Sequence, residues 1–192
     1  MRPFLLPIVY AYPLLLITIR DTVRASHTRS NTESRASMII RPAQTLDIPL
    51  LVDFWQAIDG ITEHRPFGGD SDDKNLHAEK VLQHTIHSEN AAVLIASTAE
   101  NEIIGTISGH VFEKPGVNLA KVGVVYSLWV DEERRSQGVG QQLLTYLENT
   151  LTTKGAQAFQ VGWDTGNTTA EQWWQKRGYV PYETIASKVV SK

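Results

Sequence analysis

The chain contains no cysteine, which excludes disulfide frameworks, thiolate metal sites and a cysteine nucleophile. No metal ion is assigned to it. It has no excess of positive charge: the formal net charge is −3, with 20% charged residues. A polyanion therefore finds no electrostatic footprint, and nucleic acid is not an expected partner. A Gly-Lys-Ser/Thr phosphate loop is absent, which argues against a nucleotide-phosphate protein of that kind. Hydrophobic runs of spanning length are also missing. The apolar stretch Phe4 to Ile19 falls short of the roughly 20 residues a membrane-crossing helix needs, and it holds Pro7 and Pro13. What the chain does have is 192 residues, 42% of them apolar, enough for one domain of ordinary size with a real core. The cytoplasm is the expected compartment.

The first 37 residues differ from the rest. Five arginines against Asp21 and Glu33 give this stretch +3, which leaves −6 for the remainder of a chain of net −3. Residues 1–37 admit three readings: a disordered extension, a targeting or anchoring segment built on 4–19, or a start-site artefact with Met38 as the natural first residue. The domain is taken as 38–192.

From Met38 the patterning becomes regular. Met38 to Ala43 reads as a strand stopped by Pro42. Asp47 is placed as the cap of a helix with Leu50, Leu51, Phe54, Trp55 and Ile58 on its apolar face. Ile61 to Asp73 is a Gly- and Asp-rich loop. A second helix covers Asn75 to His87, with Leu76, Val81, Leu82 and Ile86 inward. Strands follow at Ala91–Ser97, Glu102–Glu113 and Lys121–Val130. Their short connections require an antiparallel meander. A helix opens at Gly138, with Val139, Leu143, Leu144, Leu147 and Leu151 as its stripe and Gly155 as its stop. A strand at Ala158–Trp163 then runs parallel to its predecessor. A helix over Thr168–Gly178 begins with Thr168 and Glu171 in a capping box. The last expected strand lies near Tyr182 to Val190.

The segment Arg134 to Gln141 (RRSQGVGQ) carries two arginines and two glycines at a helix start. Glycine is costly within a helix but lets a ligand approach the backbone. Free N–H groups and the positive helix end favour an anion there. Arg134 and Arg135 oppose the dipole, so the arrangement gains only when something negative arrives. A diphosphate satisfies every feature, whereas a surface helix start with solvated arginines is the plainer alternative.

Arg135-Ser136-Gln137-Gly138-Val139-Gly140, after SLWVDEE, resembles the coenzyme A signature of the GNAT acyltransferase superfamily. IIRPAQTLDIPLL resembles that family's opening strand and helix, and NTTAEQWWQKRGYVPYE its Asn-to-aromatic motif. The resemblance implies an α/β (α+β) fold: a mixed central sheet, an antiparallel meander followed by a β-α-β unit, and helices on both faces. It implies an N-acetyltransferase that moves an acetyl group from acetyl-CoA to a primary amine of a small molecule or peptide, in a family whose members often form homodimers. By the same resemblance the cofactor's phosphates meet Arg135, Ser136, Gln137, Gly138, Val139 and Gly140. Its arm meets Leu128, Trp129 and Val130, and Asn167 and Trp174 lie beside it.

Two positions depart from the family's pattern. Tyr126 and Ser127 stand where relatives place a carboxylate, which leaves Tyr126 and the acidic loop (Glu63, His64, Asp70, Asp72 and Asp73) to take the amine's proton, with Asp164 a further choice. Trp174 stands where a tyrosine commonly protonates the leaving thiolate, and an indole N–H only donates a hydrogen bond. These departures keep open a catalytically weak or inactive coenzyme A-binding module.

Overall fold

The computed structural model describes residues 38–59, 74–116 and 118–186. The N-terminal extension, and with it the 4–19 segment, lies outside the described residues, as does the acidic loop with Glu63, His64, Asp70, Asp72 and Asp73. The elements run β1 (Ile39–Pro42), α1 (Ile48–Asp59), α2 (Lys74–Ile86), β2 (Ala91–Ser97), β3 (Ile103–Glu113), β4 (Lys121–Val130), α3 (Val139–Thr153), β5 (Ala158–Val161) and α4 (Thr168–Gln175). The strands form one sheet in sequence order. The first four are antiparallel, and β5 is parallel to β4. No helix among the described residues is long and apolar enough to cross a membrane.

Alternation along the strands divides the core in two. Val93 and Ile95 of β2 join α1 and α2 through Leu51, Trp55, Ile58 and Leu82. Leu94 and Ala96, one residue along, join the α3 stripe on the other face. Successive side chains of a strand point to opposite faces, so one sheet carries helices on both. All five residues of the α3 stripe are buried. On α1 the inward face is Ile48, Leu51, Val52, Phe54, Trp55 and Ile58, and Leu50 is exposed. Leu76 of α2 is exposed as well. Leu51, Phe54, Trp55 and Ile58 are buried as expected, while Ile48 and Val52 rather than Leu50 complete the apolar face, a choice that docking on the sheet makes.

Two further expectations are corrected. Residues 181–186 form no strand, and the rest of the expected final strand lies outside the described residues. Asp47 belongs to a short 3-10 turn ahead of α1. There its carboxylate accepts the Gln44 amide at 2.6 Å and a two-pronged contact from the Arg41 guanidinium at 2.8 and 2.9 Å. It ties β1 to the entrance of α1. The Arg41 hydrogen bonds hold the Asp47 carboxyl below its ordinary value of 3.8, against the opposing effect of burial. Since the folded value lies below the unfolded one, the stabilisation is whole above about pH 4 and is lost as pH falls through the folded value. Asp47→Asn should therefore lower the melting temperature by a few degrees at pH 7. The gap to the native chain should close as pH falls through the folded value of Asp47. Equal melting curves at pH 7 would show the contact to be inconsequential.

β4 contains the feature that opens the sheet. Thr106 pairs with Trp129 but Ser108 with Tyr126, so Ile107 faces both Ser127 and Leu128. The extra residue is a bulge, and Ser127 has a φ of 53°. β5 pairs with β4 only from Val122 to Val125 and ends at Val161, two residues short of the expected strand. Beyond Tyr126 the two strands part.

Candidate functional site

The chain leaves β4 into the loop that reaches α3. Asp131 accepts the Glu133 amide at 2.9 Å and starts a single 3-10 turn. Gln137 Nε2 donates to the Glu133 carbonyl at 2.7 Å. Ser136 and Gly138 then adopt left-handed backbone, with φ of 61° and 88°. Alternating hands turn successive N–H groups toward one side, which makes a concave anion seat. Gly138 is the N-cap of α3 and has no side-chain cap bond. The first backward bond runs from the Gln142 amide to the Gly138 carbonyl at 3.0 Å. The amides of Val139, Gly140 and Gln141 thus stay outside the helix ladder.

A cleft of about 370 Å³ opens at this point. Leu128 and Val130 line it from β4, Ser136, Gly138, Val139 and Gly140 from the loop and helix start, and Thr169, Gln172 and Trp173 from α4. Gln141, Arg134, Arg135, Lys176 and Arg177 complete it, and no carboxylate among the described residues lines it. A Cβ on Gly140 would lie 3.5 Å from Trp173 Cζ2 and 3.5 Å from Val130 Cγ2. Neither contact forbids a side chain, so what the glycine spares is room inside the cleft. The Asp131 amide bonds to the Ile104 carbonyl of β3. By the alternation of an antiparallel ladder, the backbone polar groups of Leu128 and Val130 face away from β3, into the gap left by β5.

Arg135 lines the cleft and is held by two neighbours. Its Nε donates to the Val130 carbonyl at 3.0 Å, and its Nη1 meets Glu132 at 3.1 Å. It pins the loop to the end of β4, and Glu132 pairs with it at the surface. Arg134 is half-buried at the cleft and makes no ion pair among the described residues.

The cleft wall from α4 was not read from the sequence. Thr169, Gln172, Trp173, Lys176 and Arg177 recur at the spacing of one helix face. Ala170 and Trp174, fully buried, form the adjoining core face. That period is visible in the sequence, but polar residues on a helix face ordinarily signify solvent. The Arg177 guanidinium lies flat on Trp173, 3.4 Å from the ring centroid, and its Nη1 donates to the Trp173 carbonyl at 2.7 Å.

Other expected site residues lie elsewhere. Trp129 stacks on Phe54 at 4.0 Å between centroids, within the core shared with α1 and α2. Gln137 spends its amide on the loop itself. Asn167, rather than Thr168, caps α4: its Oδ1 accepts the Ala170 amide at 2.9 Å. Trp174 is fully buried, edge-on to Trp173 and Tyr179, and its Nε1 has no partner. Tyr179 donates to Glu148 at 2.8 Å. Burial and that carboxylate push its hydroxyl far above the ordinary value, so it stays protonated.

Tyr126 belongs to the α1 and α2 side of the sheet, at the residue where β4 and β5 separate. His110 of β3 stands beside it, ring centroids 5.5 Å apart. Burial lowers the His110 pKa, which keeps the imidazole neutral at pH 7. His110 escaped notice because a lone histidine in a strand carries no periodic signal.

A family model described as acetyltransferase (GNAT) family matches residues 55–179. No curated protein matches the chain in sequence. Among solved structures, one described as a predicted acetyltransferase with acetyl-CoA from Clostridium acetobutylicum superposes with a TM-score of 0.65 at 18% identity, covering 80% of this chain and 96% of that one. Glucosamine-6-phosphate N-acetyltransferase from Arabidopsis thaliana gives 0.57 at 16%, covering 81% and 99%. An aminoglycoside acetyltransferase from an uncultured soil metagenomic sample, in complex with sisomicin, gives 0.58 at 21%, covering 81% and 96%. These structural likenesses concern the fold.

Proposed function

The chain belongs to the acetyltransferase (GNAT) family, and on that premise we propose that it moves an acetyl group from acetyl-CoA to a primary amine of a small molecule or peptide. The observation that carries the reading is the cleft at the start of α3. Unpartnered helix amides, left-handed loop residues, basic side chains and a spared Cβ converge there, with no carboxylate opposing them. That donor set fits a diphosphate ester. Bound acetyl-CoA supplies an activated acetyl group.

The chain's own residues divide the remaining work. Amides from Ser136 to Gln141 hold the diphosphate, and Arg134 neutralises it. Arg135 acts through the backbone, holding the Val130 end of β4 in place. The N–H groups of Leu128 and Val130 reach the cofactor arm where β5 leaves β4 unpaired. Asn167 fixes the start of α4 and so the cleft's second wall. Tyr126 takes the proton of the attacking amine, directly or through water, with the neutral His110 behind it as acceptor. Glu63, outside the described residues, supplies a negative charge to attract a cationic amine. Trp174 is fully buried beside Trp173, so its indole N–H reaches the departing sulfur only through a shift of α4 on binding.

Purified full-length chain, given acetyl-CoA and a panel of amines, should release free thiol with one acceptor class and add one acetyl mass to it. Binding of acetyl-CoA with no transfer across small amines and peptide N-termini would convert the reading to a non-catalytic cofactor module. Failure to bind acetyl-CoA at all would remove both.

A further inference from the structure

The basic residues of the cleft exceed what a diphosphate requires. Arg135 is engaged by Glu132 and the Val130 carbonyl. Arg134 and the α3 amides already face the diphosphate seat. Lys176 and Arg177 remain, on the opposite wall, with no acidic side chain lining the cleft. Arg177 is also held as a receptor group is held. Its guanidinium is flat on Trp173, one nitrogen is fixed by the Trp173 carbonyl, and Nε is buried without a partner. Burial lowers the Arg177 pKa, and no carboxylate among the described residues pairs with it. A buried donor on a preoriented guanidinium edge is matched by a planar or tetrahedral oxyanion that takes two parallel bonds.

Coenzyme A carries one such group besides its diphosphate, the phosphomonoester on its ribose. Resting on the cofactor reading above, we infer that Arg177, laid on Trp173, and the adjacent Lys176 form the seat of that phosphomonoester, so that α4 selects coenzyme A over dephospho-coenzyme A. A plainer account exists: the arginine caps the C-terminal end of α4, where cations are favoured. That account gives Arg177 no preference between the two ligands.

Calorimetric titration of the full chain with coenzyme A and with dephospho-coenzyme A separates the accounts. The native chain should bind coenzyme A about tenfold tighter or more. Arg177→Gln should bring that ratio close to one by weakening coenzyme A far more than dephospho-coenzyme A, with circular dichroism reporting that the variant is folded. Lys176→Gln, at an exposed position, should reduce the ratio by a smaller factor. Equal native affinities for the two ligands would overturn the inference and leave the cofactor reading standing. So would an Arg177→Gln variant that keeps the native ratio or weakens both ligands alike. Should Arg177→Gln not fold, Lys176→Gln and Arg177→Lys carry the test, and a native ratio in both overturns the inference. If neither ligand binds the native chain, the cofactor reading fails and takes this inference with it.

Discussion

Gly138→Glu should weaken acetyl-CoA binding by more than about 100-fold, the loss of two charge-assisted contacts at about 1.5–3 kcal/mol each. The position suits the experiment because the substitution has little else to damage. Gly138 has a φ of 88°, and a Cβ there meets only Gln142 Nε2, at 3.9 Å. The left-handed backbone costs an L-residue roughly 1–2 kcal/mol. A carboxylate at a helix start returns part of that through the dipole. The variant should therefore fold, with its own carboxylate occupying the anion seat. Gly138→Ala adds the same strain without the charge and should bind within about tenfold of the native chain. Isothermal titration of both variants decides the matter. Native affinity in Gly138→Glu would place the diphosphate somewhere other than the start of α3.

Trp174 carries the second large effect, and it divides into two parts. The side chain is fully buried in the α3 and α4 core, so Trp174→Ala should cost about 3–5 kcal/mol and lower the melting temperature by about 10 °C or more. The second part concerns the indole N–H, which is buried without a partner. An unmatched donor of this kind costs about 1–3 kcal/mol, and a fold retains one most readily where a ligand completes it. Trp174→Phe removes the donor and keeps an aromatic ring. It should slow turnover about tenfold with little change in the affinity for acetyl-CoA. Trp174→Tyr, which restores a hydroxyl that can give up a proton, should match or exceed native turnover. A Trp174→Phe variant at the native rate would show that the indole serves packing alone.

The sequence was most legible where structure is periodic and local. β2 and β4 begin and end at the residues expected, and the α3 stripe is buried in full, because alternation and a helix-spaced row of leucines leave little choice of face. Gly138 and Gly155 were readable as boundaries because the backbone there is left-handed. Legibility ended where a neighbour distant in sequence decides the outcome. Leu50 and Leu76 are exposed because docking, rather than hydrophobicity, sets the rotation of α1 and α2. Asn167 outcompetes Thr168 as a cap by one position, within the ordinary uncertainty of a helix start. The hold that Glu132 and the Val130 carbonyl keep on Arg135 was not legible either. The basic face of α4 could be counted in the sequence, yet only the fold reveals that it looks into a cleft and not at solvent.

The bulge at Ser127 makes chain length, more than chemistry, the quantity that β4 cannot alter. Opposite Ile107, two residues do the duty of one, and this offset decides which side chains after it look toward α3. Removing or adding a single residue between Val122 and Asp131 would invert that choice for Leu128 and Val130 while leaving every hydrophobic residue in the sequence. Divergent copies of this chain can thus exchange side chains along β4 freely, but their alignments should stay gap-free there.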